Sequence, residues 1–148
     1  MPLTRANLES FLVSRMGGKL AFVGRSQVTD GTNPDLNDAI VDAVILLGGS
    51  VTDYVNIIDL DVQTVPPKKI SPLRGLTELF ALRAIWGWFT DINESAGGRT
   101  QSWASMSQEI TTRIAALEVI YASLLKVYAP IVTGTVRVRN TMPPGPEM

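Results

Sequence analysis

The stretch Ser71-Pro72-Leu73-Arg74-Gly75-Leu76-Thr77-Glu78-Leu79-Phe80-Ala81-Leu82-Arg83-Ala84-Ile85-Trp86-Gly87-Trp88-Phe89 sets the architecture. Ser71 and Pro72 predict a helix start. A serine oxygen can accept from an orphan amide there, and proline at the first helical position gives up a donor that has no partner anyway. From Leu76 to Phe89 the helix is apolar nearly all round, through Leu79, Phe80, Leu82, Ile85, Trp86, Trp88 and Phe89. A helix without a polar face needs cover on every side, so it is either the centre of a bundle or coated by a partner. Gly75 and Gly87 weaken it locally but let neighbours approach closely.

The flanking segments can supply that cover. Asn33 predicts a cap and Pro34 the first position of another helix, on which Leu36, Ala39, Ile40, Ala43, Val44 and Leu47 recur at i, i+3, i+4. Asp35, Asp38 and Asp42 fall on its other face. Gly48-Gly49 ends or bends it, and Ser50-Val51-Thr52-Asp53 predicts a restart that carries Tyr54 and Val55 onward on the apolar side. Near the start, Thr4 caps a short helix bearing Leu8, Phe11 and Leu12, with a stop at Gly17-Gly18 and a polar loop from Gly24 to Asn33. The last helix repeats Trp103, Ile110, Leu117 and Leu124 every seven residues. Met106, Ile120 and Val127 fill its alternate seam with Arg113, which can pair with Glu109 at i, i+4, and Pro130 marks its end.

Two segments follow a period of two instead. Ile58, Leu60 and Val62 alternate with Asp59, Asp61 and Gln63, which predicts an extended, β-like arm within 57–69. Past Pro130 come Ile131 and then Val132, Gly134, Val136 and Val138, alternating with Thr133, Thr135, Arg137 and Arg139. Pro143-Pro144-Gly145-Pro146 then forbids regular structure. The expected fold is therefore all-α. A bundle of about four helices spans residues 1–128 and carries the arm, and an extended interaction tail covers 129–148.

The chain has 148 residues, with no histidine and no cysteine. Imidazole-assisted nucleophiles, structural zinc, haem, iron–sulfur clusters and disulfides are thereby excluded. Apolar residues make up 45% and charged residues 18%, with a net charge of −1, which argues against a basic nucleic-acid footprint. No apolar run approaches the roughly 18 residues that span a bilayer, and Arg5, Asn7 and Glu9 break up any signal-peptide core, so no membrane partner is expected.

What remains is surface for other proteins. A lone amphipathic strand suits pairing with another chain's sheet edge, which makes Ile131, Val132, Val136, Arg137, Val138 and Arg139 candidate contacts. Ile58, Leu60 and Val62 on the arm join them, as does Trp88, the tryptophan least committed to a core face. Asp59 and Asp61 offer two carboxylates on one side, but alternating acids on a strand are ordinarily its wet face, and no cofactor or metal is expected. Asp35, Asp38 and Asp42 read first as a solvated face and second as an acidic lining from which DNA is repelled.

The order of parts carries a resemblance. Asp35-Leu36-Asn37-Asp38-Ala39-Ile40-Val41-Asp42-Ala43 leads to Val51-Thr52-Asp53-Tyr54-Val55, a proline-bearing crossover, Ser71-Pro72-Leu73, an apolar helix and a last helix around Thr112-Arg113-Ile114-Ala115-Ala116-Leu117. Over roughly residues 3–128 this resembles the head–tail adaptor (connector) proteins of tailed bacteriophages. Gly48-Gly49 interrupts a helix that is continuous in that family. The resemblance implies a virion protein, assembled in the host cytoplasm, that forms a ring, commonly of twelve subunits. The ring would contact the portal protein above and the next neck or tail protein below, with DNA passing through unbound and no catalysis. A small helical regulatory or DNA-binding protein is the alternative, for which a basic helix face would be required.

Overall fold

A computed structural model of the chain describes residues 2–96 and 101–125, and the side chains of these apart from 93–96 and 101–103. The architecture is all-α. In order come α1 (Arg5–Phe22), α2 (Asn37–Leu46), the single turn α3 (Asp59–Val62), a 3-10 turn (Pro67–Lys69), α4 (Ile70–Ala96) and α5 (Gln101–Ile120). The apolar stretch forms the hub, since α1, α2 and α5 all pack against α4. Leu73, Leu76, Leu79, Leu82, Ile85 and Phe89 of α4 are buried against Leu8, Leu12 and Leu20 of α1, Ile40 and Val44 of α2, and Ile110 and Leu117 of α5, all in one core cluster.

Local chemistry sets the helix ends. The Thr4 hydroxyl accepts from the Asn7 amide at 3.1 Å, and the Asn7 side chain accepts from the Thr4 amide at 3.0 Å. α1 does not stop at Gly17-Gly18. It kinks at Met16 and continues to Phe22, because Met16 and Leu20 are both buried and helical continuation keeps them there. Its end comes at Gly24, with φ of 73°, where the Arg25 amide donates to the Leu20 carbonyl and the Gly24 amide to Ala21. α2 closes in the same Schellman pattern at Gly48, with φ of 91°, the Gly49 amide donating to the Val44 carbonyl at 2.9 Å. Only glycine fits at 49, since a Cβ there would lie 2.7 Å from Val44 Cγ1 and 2.8 Å from Thr64 Oγ1.

Several expectations shift. α2 begins at Asn37, although Asn33 Oδ1 does accept from the Asp35 and Leu36 amides at 2.9 and 3.2 Å. The helix does not restart over 50–55, and Tyr54 and Val55 face solvent. α4 opens at Ile70, directly off the 3-10 turn, so Pro72 sits within its first turn, where amides have no helical acceptor. The β-like arm does not form. Ile58 is extended, but the chain then turns into α3, because the Asp61 carboxylate accepts from the Ile58 amide at 3.1 Å and from the Thr52 amide at 3.2 Å. Ile57, Val62 and Val65 are buried, a spacing that no single strand face provides.

On α5, Ile110 and Leu117 seat against α4, whereas Ile120, expected in the seam, is exposed beside Val119. Arg113 does not take Glu109. It crosses to the buried Glu78 of α4, with N···O distances of 2.9 and 3.1 Å, while Glu109 meets Lys19 at 3.4 Å. A bidentate pair to a buried carboxylate outcompetes an exposed helix-surface pair. Farther along, Tyr121 lies over Gly75 so closely that a Cβ there would overlap its ring.

Gly75→Ala is therefore predicted to destabilise by about 1–3 kcal/mol through overpacking, although alanine gains about 1 kcal/mol in an open helix. In a Tyr121→Ala background the same change should become stabilising, as read from urea midpoints. Leu117→Asp, which buries a carboxylate against α4, should lose about 3–5 kcal/mol; an unchanged melting curve would contradict the α4–α5 packing.

Candidate partner-binding surface

The most heavily connected polar residue sits at the start of α1. Arg5 is 2% exposed and Glu9, one turn on, is 0% exposed. Arg5 Nε donates to Glu9 Oε2 at 2.9 Å. Its Nη1 reaches Asn37 Oδ1 at 3.2 Å, Asn56 Oδ1 at 3.1 Å and the Ile57 carbonyl at 2.9 Å, and its Nη2 donates to the Asn33 carbonyl. Glu9 in turn accepts from the Gly31 amide at 2.6 Å and the Asn33 amide at 2.9 Å. The two buried asparagines finish the job. Asn33 Nδ2 donates to the Ser26 and Val28 carbonyls, and Asn37 accepts from the Ile57 amide at 2.9 Å while donating to the Tyr54 carbonyl at 2.7 Å.

One guanidinium thus fastens both long connections, 24–36 and 48–66, onto α1 and α2. The donor fork of arginine suits this, because several carbonyl and amide oxygens converge on it from different segments. Buried backbone groups in a loop need such partners, since no ladder or helix supplies them. A cavity of about 260 Å³ beside the clamp is lined by Arg5, Asp30, Asn56 and Asp59, among others. Asp30 there has its carboxyl held below the ordinary range, chiefly by the Thr32 hydroxyl, and Asp59 accepts from the Arg5 amide at 2.8 Å.

The clamp has an outward consequence. With Ile57 held inside and the exposed Asn56 tied to Arg5 at 3.1 Å, Tyr54 is 61% exposed, Val55 85%, Ile58 44% and Leu60 69%. Four large apolar or aromatic side chains within seven positions of one connector face water on a backbone anchored from beneath. A second exposed apolar pair, Val119 and Ile120, lies on α5. Clusters of this kind mark protein-contact sites more often than scattered single residues do.

Of the residues singled out in the sequence, Ile58 and Leu60 stand in this surface. Val62 does not: at the end of α3 it is completely buried and belongs to the core. Trp88 is half-buried, with the Arg25 guanidinium 4.2 Å from its ring centroid. Asp35 is bound to the loop that precedes α2, accepting from the Ser26 amide at 2.8 Å and facing Arg25 at 3.5 Å, while Asp38 and Asp42 remain exposed. Asp59 and Asp61 have oxygens committed to backbone amides of Arg5, Thr52 and Ile58. Ile131, Val132, Val136, Arg137, Val138 and Arg139, with Val127 and Pro130, lie outside the described residues, as does the side chain of Trp103. Tyr54 and Val55 were expected inside, and the Arg5–Glu9 pair was read only as a break in an apolar run. The available signal was an Arg and a Glu at i, i+4 on the same helix face as Leu8 and Leu12.

Among the described residues no group of three or more His, Cys, Asp or Glu side chains converges as a metal-binding set. Among the described residues no helix is long and apolar enough to cross a membrane. No family model, curated protein or solved structure matches this chain.

Arg5→Met should cost about 3–5 kcal/mol, because Glu9 stays buried without its cation. Arg5→Lys should recover little of that loss, since one ammonium cannot reach acceptors on several segments. Urea denaturation of the two variants against the parent checks both; near-parental stability of Arg5→Lys would show that charge alone suffices.

Proposed function

We propose that this protein is a structural head–tail adaptor of a tailed bacteriophage. It assembles as a ring, commonly of twelve copies, between the portal and the next neck or tail protein, and DNA passes through without being gripped. The carrying observation is the anchored apolar surface of Tyr54, Val55, Ile58 and Leu60, built on a connector that the buried Arg5 network fastens down. A subunit that joins others needs adhesive side chains held in a fixed position, because ordering a loose loop on contact subtracts from affinity.

Further support comes from the second apolar pair on α5 and from the sequence resemblance to the adaptor family. A ring subunit makes head-to-tail contacts and needs two different adhesive faces. Mild acidity suits a conduit for a polyanion, and Asp38 and Asp42 are exposed and available to line it. The segment 131–139 serves as the portal contact, pairing its alternating strand with a sheet edge of that protein.

Val55→Asp combined with Leu60→Asp should leave stability within about 0.5 kcal/mol, as expected of solvent-facing positions, yet abolish co-assembly with the cognate portal and neck proteins. Deletion of 131–148 should also leave a folded protein, one that no longer docks on the portal. Light scattering and negative-stain images of the mixtures read both. Normal assembly by either variant would remove the surface concerned from the account, and DNA affinity that weakens steeply with salt would favour a DNA-binding role instead.

A further inference from the structure

Between α2 and α4 runs a groove of about 510 Å³, lined by Asp42, Ile45, Leu46, Phe80, Arg83 and Ala84. Its floor is apolar, and Ile45 is 37% exposed there. Its α2 rim is acidic: Asp38 and Asp42 share one face of the helix, and among the described residues no ion pair reaches either of them. The Asp42 carboxyl is pushed above its ordinary range, first by partial desolvation at the groove edge and then by the charge of Asp38. Two like charges a turn apart beside an apolar trough favour a cationic partner there. The opposite rim is not available for that role, because Arg83 is bound to Glu118 of α5 at 2.7 Å.

We infer that this groove is occupied by the chain's own segment Val136-Arg137-Val138-Arg139. In an extended segment Val136 and Val138 share one side and Arg137 and Arg139 the other. The valines fit over Ile45, Leu46 and Phe80, and the long arginine stems reach back to the acidic rim. The spacings agree: alternate residues of a strand stand about 6.8 Å apart, and carboxylates four residues apart on a helix about 6 Å. The exit point also fits. Tyr121 lies over Gly75, and Phe80 to Ala84 lie only about 8–14 Å farther along α4 at about 1.5 Å per residue. The roughly eleven residues from Leu125 to Val136 can span about 36 Å. This resting place does not depend on the neck assignment. If the tail also serves a partner, as proposed above, the partner must first draw it out of the groove.

A chain without native cysteine allows a clean test by engineered disulfide. In the full-length protein, Ile45→Cys with Val138→Cys should oxidise to an intramolecular disulfide at least tenfold faster than the control pair Val119→Cys with Val138→Cys, read by peptide mass mapping of the monomer. Asp38→Lys with Asp42→Lys should slow that reaction several-fold, and adding Arg137→Glu and Arg139→Glu should restore it. Equal rates for the two cysteine pairs would overturn the inference. So would crosslinks formed only between chains, which would assign the groove to a second copy, and so would indifference to the charge reversal.

Discussion

A single buried guanidinium holds this molecule's two long connections in place. α4 can gather α1, α2 and α5 by apolar burial alone, but the connections 24–36 and 48–66 contain too few core side chains to fold by that means. Ile57, Val62 and Val65 supply some burial. The backbone groups around them still need partners, and Arg5, Glu9, Asn33 and Asn37 provide them. A buried ion pair is poor evidence of net stability by itself, since desolvation offsets much of the attraction. Its value here is positional: the oxygens that Arg5 engages come from α1, the 24–36 connection, α2 and the 56–57 segment, so satisfying them together fixes how these parts meet. That arrangement leaves Tyr54, Val55, Ile58 and Leu60 in water.

Structure and proposed role meet at this division of labour. The hub helix supplies most of the core, and the clamped connector presents apolar side chains without contributing much to it. Substitutions on the exposed connector are therefore separable from folding, whereas substitutions in the clamp are not. The α2–α4 groove is a third kind of surface, apolar in its floor and charged at its rim.

The parts legible in the sequence were those governed by local rules. Sustained apolarity from Leu76 to Phe89 required a covered helix, and it became the hub. Thr4 capped as a threonine with Asn three residues later can, and Gly48 stopped α2 as glycine does at a left-handed position. The parts that escaped depend on contacts distant in sequence. Arg5 and Glu9 look like a surface pair until two loops fold over them. The pattern Ile58 to Gln63 satisfies strand and helix templates alike over so short a stretch, and the choice falls to Asp61, which caps both Ile58 and Thr52. Its place three residues after Ile58 was a readable helix-start signal. Arg113 shows the same limit, since i, i+4 spacing favoured Glu109 and a buried Glu78 from another helix prevailed. Of the candidate surface, Ile58 and Leu60 could be named in advance, but Tyr54 and Val55 could not, because their exposure follows from the clamp.

Amide hydrogen exchange tests the clamp most directly. If the Arg5 network fixes the connections, the Gly31, Asn33 and Ile57 amides, bound to Glu9 and Asn37, should exchange as slowly as amides of the α4 core, through global unfolding. Exchange of these three at the rate of open loops, with α4 still protected, would contradict the account.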